Sequence, residues 1–320
     1  MNGHIPTADS SGDSILKERD RPIHLKLSFL LPLGLVFCGL IFSFIYLTFN
    51  RSQQQIDTSA EQMVSSVTSL FRHNVLENSS MLEAVSHALF RNKDIEAALI
   101  EKNRSRLLSL STPLFNELSK EHLITHFYYH NVDRTNLLRV HKPERHSDKI
   151  NRFTMLEAEA LGSVSSGIEL GPLGTFTLRN VTPWYDSNQN LIGYLELGME
   201  IDSIFDSIER LYSTHLFMLI HKKHLNKSRW IEGMRMLGYE DDWDALDQFV
   251  VTNLRVGQKL PEEFSTNYAT SDTRVAGEFE LKFKGLRHKA RVIPVEDKGK
   301  RDVGEMWILI DTNEEIEDSL

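Results

Sequence analysis

Residues 27–49, LSFLLPLGLVFCGLIFSFIYLTF, run for 23 positions without a charged side chain. As a helix the run extends about 35 Å at ~1.5 Å per residue, enough to cross the ~30 Å hydrocarbon layer of a bilayer with some tilt. A cleaved leader has a shorter apolar core, typically about 7–15 residues, and a small-residue cleavage site, which LTFNRSQQQ does not offer. The run is therefore expected to be a single transmembrane helix. Lys17, Arg19, Arg21 and Lys26 precede it, whereas only Arg51 follows before Arg72. The positive-inside rule then places residues 1–26 in the cytoplasm as a disordered polar tail, and everything from about residue 50 outside. In a bacterium with two membranes that is the periplasm, so the expected location is the inner membrane.

The 320-residue chain carries a formal charge of −9 with no long Lys/Arg runs, which argues against nucleic-acid binding. Its one cysteine, Cys38, sits inside the apolar run, so no intrachain disulfide, thiolate metal cluster or external cysteine nucleophile is available.

After the apolar run the sequence turns helical. Val64, Val67, Phe71, Val75, Asn78, Leu82, Val85 and Leu89 recur at three- and four-residue spacing and form one stripe of a long helix. Such a stripe is expected to pack on the following domain and on a second copy of the chain. Asn92 offers a cap for a further helix, and Thr154 with Glu157 reads as a capping box for a short helix that Gly162 ends.

Residues 124–201 mix short alternating runs with a basic connector. Between 139 and 152 five cations (Arg139, Lys142, Arg145, Lys149, Arg152) face two anions (Glu144, Asp148), a local +3 in an acidic protein. Guanidinium groups in such a segment suit a small carboxylate or phosphate, although an ordinary solvated loop has the same composition. In 174–185 the period of two separates Phe176 and Leu178 from Thr175, Thr177 and Arg179; in 191–200 it separates Leu195 and Leu197 from Tyr194 and Glu196. Pairing across the turn at 186–190 would bring Arg179, Tyr194 and Glu196 to one pocket, or make a structural ion pair. Residues 166–174, with three glycines and a proline, read as a loop. Further on, 216–221, 277–283, 288–295 and 306–311 read as strands of a second, smaller sheet, 230–237 and 244–251 as helices, and 313–320 as the start of an exit helix.

Three words in fixed order, HFYYHNVDRTNLLRVHKPERHSDKINRFTMLEAEALG, SGIELGPLGTFTLRNVTPWY and LIGYLELGMEI, closely resemble the extracytoplasmic double Cache sensor domain of bacterial signalling proteins. The clear match covers about residues 75–212 and the order of elements extends it to about 311. The resemblance implies an α+β fold: a long helix, here preceded by one transmembrane helix, followed by two tandem PAS-like modules with antiparallel sheets. Expected segments are a helical lead-in at 50–112, a membrane-distal module at 113–212 and a membrane-proximal module at 213–312. The implied function is ligand sensing rather than catalysis, without a cofactor or metal, in a homodimer that feeds a kinase, chemoreceptor or cyclase output. Family members usually sit between two spans; this chain stops before a second, as a truncated receptor or an anchored sensor would. Carried onto this sequence, the implied ligand residues are Arg139, His141, Arg145, Asp148, Arg152, Glu169, Arg179, Trp184, Tyr194 and Glu196. Their chemistry fits an anionic or zwitterionic metabolite, with Trp184 and Tyr185 supplying apolar contact.

Three rival readings remain open. A metal sensor would use His122, His126, His130, His141 and His146, but positions four apart on a strand lie about 13 Å from each other. A hydrolase would need paired carboxylates such as Glu169, Asp186, Glu196 and Glu200, yet no catalytic motif accompanies them. A scaffold would bind only protein partners.

Overall fold

The computed structural model describes residues 23–261, 263–264 and 278–311; the predicted N-terminal tail and the expected exit helix lie outside these. Two compact units are distinguished, one ending at Gln55 and the other beginning at Ile56. In the first, helix α1 (Ile23–Phe90) begins, and its apolar window is long enough to cross a membrane and entirely unburied.

The second unit starts with the remainder of α1. Helix α2 (Lys93–Ile100) follows, capped as expected by Asn92 Oδ1, which accepts from the Asp94 and Ile95 amides. Helix α3 (Arg104–His122) contains Pro113 without breaking. The first sheet has β1 (His126–His130), β2 (Asn136–Arg139), β3 (Ser165–Leu170), β4 (Phe176–Tyr185) and β5 (Leu191–Glu200) in the order β2-β1-β5-β4-β3, with α4 (Phe153–Leu161) between β2 and β3. Helix α5 (Asp202–Tyr212) leads to the second sheet, built from β6 (His215–His221), β7 (Phe249–Val251), β8 (Glu278–Phe283), β9 (Leu286–Glu296) and β10 (Asp302–Asp311), with α6 (Lys227–Leu237) after β6. Its order, β7-β6-β10-β9-β8, repeats that of the first, and every pairing is antiparallel.

Period-two alternation sets the layers. Leu178, Leu195, Leu197 and Met199 on one face of the first sheet, and Leu216, Met218, Ile220, Met306 and Ile308 on one face of the second, join Ala60, Val67, Leu82 and Leu89 of α1 in a common core. The opposite faces differ. On the second sheet Phe217, Leu219, Trp307 and Leu309 make a further apolar cluster. On the first sheet the opposite face is charged.

Three sequence expectations are corrected. Residues 244–251 do not form a helix; they end in strand β7, whose Val250 and Val251 pair with Ile220 and Leu219, because a β-branched dipeptide fits the edge of a sheet. The glycine-rich stretch 166–174 is mostly strand β3, and only Gly171 to Gly174 turn, with Gly174 at φ 76°. The Thr154 capping box is absent. Arg152 is the N-cap, Glu169 of β3 caps the Thr154 amide at 2.5 Å, and Glu157 instead takes Ser165 Oγ. A tertiary carboxylate has replaced the local one. Gly162 ends α4 in the left-handed region, as its sequence position implies.

Candidate functional site

The charged face is built by strand parity. Glu169 of β3, Thr177 and Arg179 of β4, Tyr194 and Glu196 of β5, and His126, Tyr128 and His130 of β1 stand on it; register places Val181 opposite Glu196 and Glu196 opposite Tyr128. The hairpin is fixed by Asp186, whose Oδ1 accepts from the Asn188 and Asn190 amides at 2.8 and 2.9 Å. The connector and α4 cover the face, delivering Arg152 and Thr154.

Glu196 lies at the centre with no exposure. Arg179 Nη1 donates to Oε1 at 2.6 Å, Arg152 Nη2 approaches both oxygens at 2.6 Å, and His130 Nε2 sits 2.9 Å from Oε2. Burial opposes ionisation of Glu196, but Arg152, the His130 hydrogen bond and Arg179 outweigh it and hold its pKa well below the carboxylate range. His130 is itself pushed down by burial against the pull of Glu196. A neutral ring with Nε2–H donating to Glu196 and Nδ1 accepting from Asn136 Nδ2 at 3.4 Å satisfies both neighbours.

Around this pair the imidazoles are neutral, and Glu169 and Glu200 are reluctant anions. His141 is lowered to about 4, mainly by burial, and its Nδ1 accepts the Phe127 amide at 3.2 Å. His126 is held well below its ordinary value, by burial and then by Arg179. Tyr128 stacks between His126 and His130 and meets His141 edge to face, with the Arg139 and Arg152 guanidinium carbons 5.4 and 5.3 Å from its ring centre. Burial raises Glu169, and raises Glu200 to about 7. Arg152 Nε, Arg179 Nε and Thr154 Oγ1 are buried without a hydrogen-bond partner among the described residues. Orphaned buried donors are uncommon and costly, and three lie on groups that meet at Glu196, its Arg152 partner and the start of α4.

Of the ten residues expected from sequence, Arg152, Glu169, Arg179, Glu196 and His141 come together here. Arg139 and Asp148 form a two-bond pair at 2.7 and 2.8 Å beside them; Arg139 also donates to the Arg145 carbonyl, so it holds the connector in place. Three residues do not join the Glu196 cluster. The Arg145 side chain is exposed and only its carbonyl takes part. Tyr194 shares the face but packs with Ile150, Met155, Ala158 and Val181 under α4. Trp184 is on the opposite face, 1% exposed, with its ring 4.4 Å from that of Phe90; as an even-numbered position in β4 it shares the side of Leu178, not that of Arg179. Tyr185 is turned outward by a bulge and donates to the Gly162 carbonyl.

The sequence reading missed His126, Tyr128, His130 and Thr154 as members of the site. The alternation in HFYYH carried the signal for the first three, since its odd and even members must face opposite ways. Among the described residues no group of three His, Cys, Asp or Glu is disposed to hold a metal ion.

A sequence family described as the double sensory domain of two-component sensor kinase, dCache_3, matches residues 49–316. The chain belongs to this double Cache family. It is a sensory family rather than a catalytic one. No curated protein matches the double Cache chain. Solved structures similar to it include the domain of a sensory box/GGDEF family protein from Vibrio parahaemolyticus, at 16% identity over 82% of this chain and 99% of that one, with a TM-score of 0.46. The periplasmic domain of Vibrio cholerae LuxQ shares 11% identity over 78% and 99%, TM-score 0.45. The ligand-binding domain of the Campylobacter jejuni chemoreceptor Tlp3, solved with 4-methylisoleucine, shares 13% over 82% and 91%, TM-score 0.42.

One titration follows from the geometry of this double Cache site. Glu200, its oxygens 3.3 and 3.4 Å from Thr177 Oγ1, holds its proton up to about pH 7 in the folded state. The folded chain therefore binds more protons than the unfolded one between about pH 4.5 and 7, so stability falls as pH rises through that window. Glu200→Gln is expected to match the wild type near pH 4 and to exceed it at pH 8 by on the order of 2 kcal/mol. Urea unfolding at the two pH values checks this; a variant no more stable at pH 8 than the wild type contradicts it.

Proposed function

We propose that this chain is the extracytoplasmic sensing part of a membrane-anchored signalling receptor, and that a small anionic or zwitterionic metabolite binds beneath the 139–152 connector on the charged face of the first sheet. The observation that carries the reading is the convergence of orphaned buried donors, Arg152 Nε, Arg179 Nε and Thr154 Oγ1, beside the Glu196 cluster. Donors left over after Glu196 is satisfied suit a ligand carboxylate, and Glu169 and Glu200 suit an amine. The corresponding face of the second sheet carries the apolar cluster of Phe217, Leu219, Trp307 and Leu309 among the described residues. Anchoring by residues 27–49 with a cytoplasmic N-terminus, modules spanning about 113–212 and 213–312, and self-association through α1 belong to the same proposal.

The test is a thermal-shift screen of the full chain in lipid nanodiscs against amino acids, di- and tricarboxylates, purines and neutral sugars. A ligand that binds only the folded state raises the melting temperature. A subset bearing a carboxylate is expected to do so. A screen in which nothing shifts, as a protein-only scaffold would give, or in which only uncharged compounds shift, contradicts the reading.

A further inference from the structure

The β9–β10 hairpin touches both the start of α4 and the part of α1 next in sequence to the apolar run. At its tip, the Lys298 amide donates to the Ile168 carbonyl of edge strand β3 at 2.8 Å, and Lys298 Nζ reaches Glu157 of α4 at 2.6 Å. Gly299 lies against Phe153: a Cβ there would stand 2.4 Å from the ring, so no other residue fits without movement. The Arg301 guanidinium lies 5.0 Å from the centre of the same ring. Phe153 is flanked by Arg152, which holds Glu196, and by Thr154, whose amide is capped by Glu169. The tip therefore grips the residue between two members of the candidate site.

The tip is itself stiff. Asp297, whose side chain is fully buried, accepts from the Gly299 and Arg301 amides at 3.0 and 3.1 Å and from the Arg301 guanidinium. Toward the other end of β9, Lys289 pairs with Asp57 and Arg291 lies 3.7 Å from Glu61, two strand residues on one face meeting acids one helical turn apart on α1. The Lys289 side chain is 8% exposed. Between Lys289 and Glu296 the strand covers about 23 Å at ~3.3 Å per residue; β10 pairs along this length, and β8 pairs on the other side as far as Arg291.

We propose that β9 is a strut that couples the position of α4 to residues 57–61 of α1, so that displacement of Arg152 and the α4 start changes the hold on the helix that enters the apolar run. Its meaning as a signal route rests on the proposed site, but the coupling is measurable without any ligand. An element held this way has two ends that must move together, and linkage makes the effect reciprocal.

Hydrogen exchange by mass spectrometry on the full chain in nanodiscs tests it. Lys298→Met and, as a second tip variant, Glu157→Gln are expected to speed exchange of amides 57–64 by about threefold or more, with the 185–191 hairpin unchanged. Reciprocally, Asp57→Asn is expected to speed exchange in 153–161. Changes confined to the mutated end, or a uniform rise throughout the chain, overturn the proposal. Such a result leaves the ligand site standing, while a failed metabolite screen leaves this coupling intact.

Discussion

Replacing Glu196 by alanine is expected to lower the unfolding free energy by about 3–5 kcal/mol, measured by urea unfolding of the full chain in nanodiscs at pH 7. The carboxylate has no exposure and balances Arg179, 4% exposed, and Arg152, 23% exposed. Without it the Arg179 charge is stranded out of water, and Arg152 loses its closest acceptor. Converting the pair together, Glu196→Leu with Arg179→Met, is expected to be less damaging than Glu196→Ala alone, since the buried Arg179 charge goes with its partner and only the part-exposed Arg152 is left unpaired. The pH dependence has a definite sign. Glu196 titrates lower folded than unfolded, so its contribution is present above the ordinary carboxylate pKa and is lost as pH falls through the folded value. Acid should therefore narrow the gap between wild type and variant. A single variant as stable as the wild type at pH 7 would mean that the cluster is not closed as described.

Trp184→Ala is expected to cost about 3–5 kcal/mol in the same measurement while leaving metabolite affinity unaltered. The indole fills the layer between the first sheet and α1, against Phe90, and it points away from Glu196. A variant with near-wild-type stability and lost binding would put Trp184 back in the ligand site.

The charged face was partly legible because strands alternate. Arg179 and Glu196 could be placed on one side from spacing alone, and they meet at 2.6 Å. The resemblance places Trp184 with them, although its even position in β4 assigns it to the side of Leu178. His126 and His130 enter the sequence reading only as metal candidates, and the face they share with Tyr128 goes unused. Arg139 and Asp148 could not be assigned from sequence, because whether a connector cation meets ligand or a neighbouring carboxylate is decided by how the loop closes. The helix expected at 244–251 gives way to β7, where the β-branched Val250 and Val251 pair with β6. The second sheet was otherwise readable, since β8, β9 and β10 alternate and pair in sequence order.

The most direct measurement is a calorimetric titration of the best compound from the metabolite screen into the wild type and into Arg152→Gln, both as full chains in nanodiscs. Arg152 is the connector's contribution to the cluster, is part-exposed, and can be neutralised at lower cost than Arg179. Loss of one charge-assisted contact to a ligand carboxylate is expected to weaken binding by at least about tenfold. Equal affinity in the two proteins would contradict the placement of the ligand beneath the connector.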